Sequence, residues 1–230
     1  MEASRATTTP VALLCLVAFV VELASQLIRP GPTHVSTKYT GRLTFLTVQT
    51  NCIGCLYFLG ALVSSCGAKP MRLNFWLRRL FPLMFSLGIF LTVAYYALVH
   101  FTPQAKARRQ YEIDNGVHYA HLLHHLEHAL ALPVLIIYAR NFLFIPSRVD
   151  VPFYVGGFAS FYLCFTVVIN QLTGDWVYPI FDVVQNKGGN IVLMVFFCCL
   201  IGVFVGLGYL GCWVVEATSS SRKRNDSKEM

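Results

Sequence analysis

Six apolar stretches run along this chain, at about 10–29, 43–64, 76–100, 121–141, 150–172 and 189–216. Each is long enough to cross a hydrocarbon core of about 30 Å. No other feature constrains the fold as tightly. A backbone inside lipid must satisfy each N–H and C=O within the protein, and a helix does so within its own segment. The stretches predict an all-α membrane protein, with six transmembrane helices forming one bundle over residues 1–216. A basic tail, 217–230, is expected to be irregular and cytosolic. The intervening segments are short and rich in proline, glycine and charge, so no separate soluble domain fits between them.

Charge points the same way. Only 13% of the 230 residues are charged and 56% are hydrophobic, where a soluble domain carries roughly a quarter charged residues. The net charge of +7 is spread over short loops and the tail SSRKRNDSK without interleaved aromatics, which argues against a nucleic-acid partner and for anionic lipid headgroups. Seven of the eight cysteines fall in or beside apolar runs, where a thiol behaves as a small apolar side chain. Cys52-Ile-Gly-Cys55 is therefore read as packing, and no disulfide framework is implied. Glu22, near the end of the first span, disfavours a cleaved signal peptide and favours an uncleaved signal anchor. Gly206–Gly211 reads GLGYLG, but it follows no strand and sits in an apolar run, so the dinucleotide fingerprint fails its context. Gly202 and Gly206 instead suggest a close helix contact.

The chemistry is concentrated in HYAHLLHHLEHALALP, residues 118–133, which holds five of the seven histidines. At about 100° per residue, His118, His121, His124, His125 and His128 fall in one arc of roughly 120°, with Glu127 pointing away from its centre. Such a face is costly against lipid and belongs toward the bundle interior or a wet cavity. Three readings follow. The shallower imidazoles can be interfacial and bond to headgroups or loops. A metal can be held: His121–His125 matches one histidine box of membrane di-iron enzymes, and imidazoles at i, i+3, i+4 and i+7 suit one zinc. Only His34 and His100 lie outside the cluster, too few for a di-iron site. Finally, a buried neutral His128 can act as general base for a hydroxyl nucleophile on a facing helix. Thr44 and Thr47, one turn apart in GRLTFLTVQTN, enter the membrane from the same side as the histidines. A hydroxyl bonded back to its own helix is the plain alternative for either threonine.

Other residues carry a resemblance. Six spans, R-x4-T at Arg42 to Thr47, H-x-x-H ahead of a proline at His125, His128 and Pro133, and T-G-D-W-V-Y-P-I-F at Thr173 to Phe181 together resemble the androgen-induced protein family, which includes the androgen-dependent TFPI-regulating branch. The likeness runs from about residue 10 to 215, and its most specific piece is T-G-x-W-V-Y-P. Known members are integral membrane threonine hydrolases that cleave fatty acid esters of hydroxy fatty acids. The resemblance implies Thr47 as nucleophile and His128 as base. The chain departs from the family pattern at Leu43 and Thr44, at Thr50 (followed by Asn51) and at Ala129.

The resulting expectation is a membrane hydrolase of lipid carboxylic esters, acting through an acyl-enzyme and needing no cofactor or metal. Asn51, Tyr178 and Trp176 are candidate oxyanion donors. His125 is a candidate for orienting the pair, and Arg42 for receiving a substrate carboxylate. The rivals are a metal-dependent membrane lipid hydroxylase built on the histidines and a non-enzymatic six-span scaffold or transporter. The endoplasmic reticulum or the plasma membrane is the expected location, and nothing in the residues addresses oligomeric state. Eleven of the eighteen Lys and Arg residues lie on the side of the termini, which places both termini in the cytosol. Tags at the two ends should therefore resist protease together inside sealed plasma-membrane-outside cells and become accessible together on permeabilisation. Termini on opposite sides would mean that one span does not cross.

Overall fold

The computed structural model describes residues 2–28, 37–66, 71–141 and 145–226. Most of loop one, His34 included, and residues 227–230 of the tail lie outside them. The chain is an all-α membrane bundle: α1 (Glu2–Ile28), α2 (Leu46–Ser65), α3 (Met71–Ala94), α4 (Pro103–Asp114), α5 (Ala120–Ala129), α6 (Ala131–Asn141), α7 (Gly157–Thr173) and α8 (Pro179–Asp226). Six helical segments are long and apolar enough to cross a membrane, with α5 and α6 forming one of them.

Several local features differ from the sequence expectation, each for a stated reason. The fourth span loses its regular hydrogen bonding at Leu130, between α5 and α6, while Leu130 keeps helical dihedrals (φ −71°, ψ −36°). Pro133 has no N–H for the Ala129 carbonyl and would clash with it inside a continuous helix, so it occupies the first turn of α6 instead. The segment between the third and fourth spans is not an irregular loop, because residues 103–114 form α4. The last helix begins at Pro179, bends at Gly189 (φ 66°) and continues through Asp226, past the expected end at 216. The packing glycines of α8 are also not those expected. A Cβ at Gly202 or Gly206 would meet open space, whereas one at Gly208 would lie 2.9 Å from Val151 and one at Gly211 2.8 Å from Phe85.

The core forms where the first four spans meet. Phe19, Phe58, Phe81, Phe85 and Tyr138 pack edge-on or tilted, and the first four are buried outright. Phe19 sits directly on Gly54, where a Cβ would come within 2.2 Å of its ring. Consecutive spans cross in opposite directions, so this contact sets the register: Glu22 on α1 lies level with Asn51 on α2, and Gln26 with Thr47. Along the other flank of α1, the Cys15 thiol donates to the Val134 carbonyl at 3.4 Å and Ser25 approaches Glu127 at 3.3 Å. The C-terminal end of α1 thus lies level with the start of α2 and with the second half of α5. Gly54→Val should lower the thermal midpoint, at a cost of about 1–3 kcal/mol from overpacking against a ring with nowhere to move, whereas Gly202→Ala should leave it unchanged. Equal effects in a detergent-micelle melt would mean the α1–α2 contact is looser than described.

Candidate functional site

Thr44 and Thr47 turn out to be differently placed. α2 does not begin until Leu46, so Thr44 belongs to the short 3-10 turn Gly41–Thr44 that precedes it. Fully buried, the Thr44 hydroxyl lies 2.8 Å from the Gly41 carbonyl and 2.6 Å from the Thr40 hydroxyl. Arg42 is half-buried in the same turn. Thr47 stands in the first turn of α2, half-buried, and its hydroxyl makes no hydrogen bond among the described residues. A helical threonine normally bonds back to the carbonyl three or four residues earlier. Of those carbonyls, Leu43 accepts the Gln49 amide at 2.7 Å and Thr44 accepts the Tyr162 hydroxyl at 3.0 Å.

The start of α2 is fastened from the far side of the bundle. No side chain caps it. Instead the Leu46 amide donates to the Tyr178 hydroxyl at 3.1 Å, which itself lies 3.1 Å from the Tyr162 hydroxyl. Burial pushes the Tyr178 hydroxyl above its ordinary pKa, so it stays protonated in this chain of bonds. The Trp176 indole donates to Gln185 at 2.8 Å. The Trp176 N–H is thus committed to α8, while Tyr178 holds the helix start as an acceptor. What remains near Thr47 are the amides of Thr47 and Val48, which have no intrahelical acceptor, and Asn51 one turn on. Asn51 and Thr50 are fully buried, and their side-chain polar atoms have no hydrogen-bond partner among the described residues.

The histidines divide by depth in a way the helical arc did not show. His118 precedes α5 and is exposed, as is His121. His124 was expected to be shallow, yet it is buried, because α4 covers it and Glu112 Oε2 lies 3.1 Å from its Nε2. His125 Nδ1 sits 2.6 Å from the Tyr96 hydroxyl. The His128 ring is stacked on Tyr95, with centroids 3.9 Å apart. Tyr95 and Tyr96 come from a single π turn, Tyr95–Val99, that ends α3 and directs both rings onto α5. Such turns recur at functional sites.

Glu127 is the principal correction. The helical arc pointed it away from the histidines, but it is buried, 4.0 Å from His128 Nε2 and bonded to Ser25 of α1. Ligating atoms of His124, Glu127 and His128 all lie within 4.8 Å of one another. Glu22, buried on α1, has Glu127 and the Ala131 amide as neighbours, and its carboxylate makes no hydrogen bond of normal geometry among the described residues. An acidic side chain inside a span is by itself a functional signal. Both glutamates were visible in the sequence on that ground.

Thr47 and His128 are not hydrogen-bonded to one another. Thr47 lies on α2 and His128 on α5, and both helices pack against α1. Residues 6–215 match the FAR-17a/AIG1-like protein family. The chain belongs to this family. It is the androgen-induced family that the motifs resemble, and as a FAR-17a/AIG1-like protein the chain is an integral, multi-pass membrane protein. No curated protein and no solved structure matches it.

The two threonines predict different stability effects. Thr44→Ala removes a buried, bonded hydroxyl and should cost about 1–3 kcal/mol, while Thr47→Ala should leave the melting midpoint unmoved. Thermal unfolding of both variants in the same micelle decides it, and the reverse order would assign the structural role to Thr47.

Proposed function

We propose that this FAR-17a/AIG1-like protein hydrolyses fatty acid esters of hydroxy fatty acids, with Thr47 as nucleophile and His128 as general base. The observation that carries the reading is the state of Thr47, a half-buried hydroxyl in the first turn of α2 that makes no hydrogen bond among the described residues. The family's motif supports the same pair.

The reaction runs in two halves. Neutral His128 takes the Thr47 proton as Oγ attacks the ester carbonyl. The tetrahedral oxyanion is met by the helix-start amides and Asn51, groups that need no reorganisation. Collapse expels the hydroxy fatty acid as an alkoxide, which receives the proton from the imidazolium and leaves an acyl-threonine. Water, deprotonated by His128, then releases the second fatty acid. No cofactor is needed. The exposed apolar faces of the spans let both acyl chains approach from the bilayer, and Arg42, beside the helix start, suits the carboxylate of the substrate. Tyr178 and Tyr162 act as positioning residues that hold the first turn of α2. His125, through Tyr96, positions the helix bearing the base. Trp176 stabilises the neighbouring segment.

Thr47→Ala and His128→Ala should each abolish ester hydrolysis and fluorophosphonate labelling, and the double variant should be no worse than either, because the two act as a unit. Thr44→Ala, His118→Gln and His121→Gln should retain labelling, and Tyr178→Phe should lower it without abolishing it. Peptide mapping of the adduct to any residue other than Thr47 refutes the assignment.

A further inference from the structure

We infer that the fourth span carries a zinc site made of His124, Glu127 and His128 and closed by Glu22, and that zinc bound there switches off the hydrolase proposed above. The residues read H-x-x-E-H along one helix, 124–128, which puts two imidazoles one turn apart with the carboxylate between them. Their ligating atoms already lie within 4.8 Å of one another. A tetrahedral zinc at 2.0–2.2 Å needs separations of roughly 3.3 Å, a contraction that side-chain rotation supplies.

Glu22 gives the independent indication. The residue is 1% exposed, and its carboxylate lies beside Glu127 and the Ala131 amide without a hydrogen bond of normal geometry among the described residues. Two neighbouring carboxylates in a membrane interior repel each other and are costly to bury without a compensating positive charge. A dication between two carboxylates and two neutral imidazoles balances the charges of Glu22 and Glu127. Nitrogen donors favour zinc over magnesium or calcium. Four protein ligands leave no open position, which marks the site as regulatory or structural rather than catalytic. Glu112, against His124, orients that ring as an outer partner.

The consequence follows from the lone pair. His128 cannot coordinate zinc through Nε2 and also accept a proton there from Thr47. Metal binding therefore competes with base catalysis, and chelation activates.

The test uses full-length protein in detergent micelles, stripped with EDTA and titrated with zinc sulfate. Bound metal is measured by mass spectrometry, and hydrolysis of a long-chain ester of a hydroxy fatty acid is followed in parallel. The wild type should bind one equivalent and lose activity as it fills. Losing an outer partner already weakens metal binding by about 10–100-fold, so His124→Asn and the isosteric Glu22→Gln should weaken it by at least roughly a hundredfold. His124→Asn, outside the proposed catalytic pair, should keep its metal-free activity and resist zinc. The inference rests on the hydrolase reading only for its readout. Stoichiometric zinc in a protein without esterase activity sinks that reading and leaves the site standing. Inhibition that persists in His124→Asn places zinc elsewhere and overturns the site, as do a wild type that binds no zinc and one that binds as tightly as Glu22→Gln. Iron retained in place of zinc, with oxygen-dependent turnover, would overturn the closed-site assignment in favour of a hydroxylase.

Discussion

Carboxylates inside a bilayer cannot rely on water, so whatever neutralises Glu22 and Glu127 must come from the protein or from what it binds. That requirement organises the polar interior. Ser25 donates to the Glu22 carbonyl and reaches Glu127, Glu127 lies against His128, and Glu112 reaches down from α4 to His124. Three helices, α1, α4 and α5, are thus drawn to one depth. The aromatic core below, from Phe19 to Tyr138, supplies the dispersion and close fit that hold these helices together, which hydrophobic burial cannot do between surfaces already in lipid.

The same depth is served from the opposite side by the T-G-D-W-V-Y-P segment. Its Tyr178 and the α7 residue Tyr162 act on the backbone of Thr44 and Leu46 rather than on any side chain of the site. A backbone hold of this kind tolerates side-chain change around it. Leu43, Thr44 and Thr50 can therefore depart from the family pattern while the first turn of α2 keeps its place.

The spans were legible because hydropathy over some twenty residues is a long-range average that lipid imposes directly. Legible too was the family, through motifs that include the spacing of His125, His128 and Pro133. Glu127 was misplaced because an ideal helical arc treats α5 in isolation. Glu127 faces α1, and only the packing of α1 makes that direction an interior one. His124 was taken as shallow because depth was counted from the helix start, whereas α4, hydrophilic in composition and unremarkable in sequence, folds over it. For the α8 glycines, a small-xxx-small pair names a spacing and not a partner. Gly208 and Gly211 are the pair that α8's rotation turns toward Val151 and Phe85.

Two backbone irregularities bracket His128, and their combination is informative. The π turn at Tyr95–Val99 lets neighbouring tyrosines of α3 both reach α5, one by stacking on His128 and one by bonding His125. Beyond His128, Pro133 removes one helical hydrogen bond while Leu130 keeps helical dihedrals (φ −71°, ψ −36°), so α5 runs on into α6 as one 22-residue span. That span meets α1 and α4 through Glu127 and His124 at one end, and the aromatic core through Val134, Leu135 and Tyr138 at the other. The proline in H-x-x-H-x4-P stands where the polar half of the span gives way to the half that anchors it.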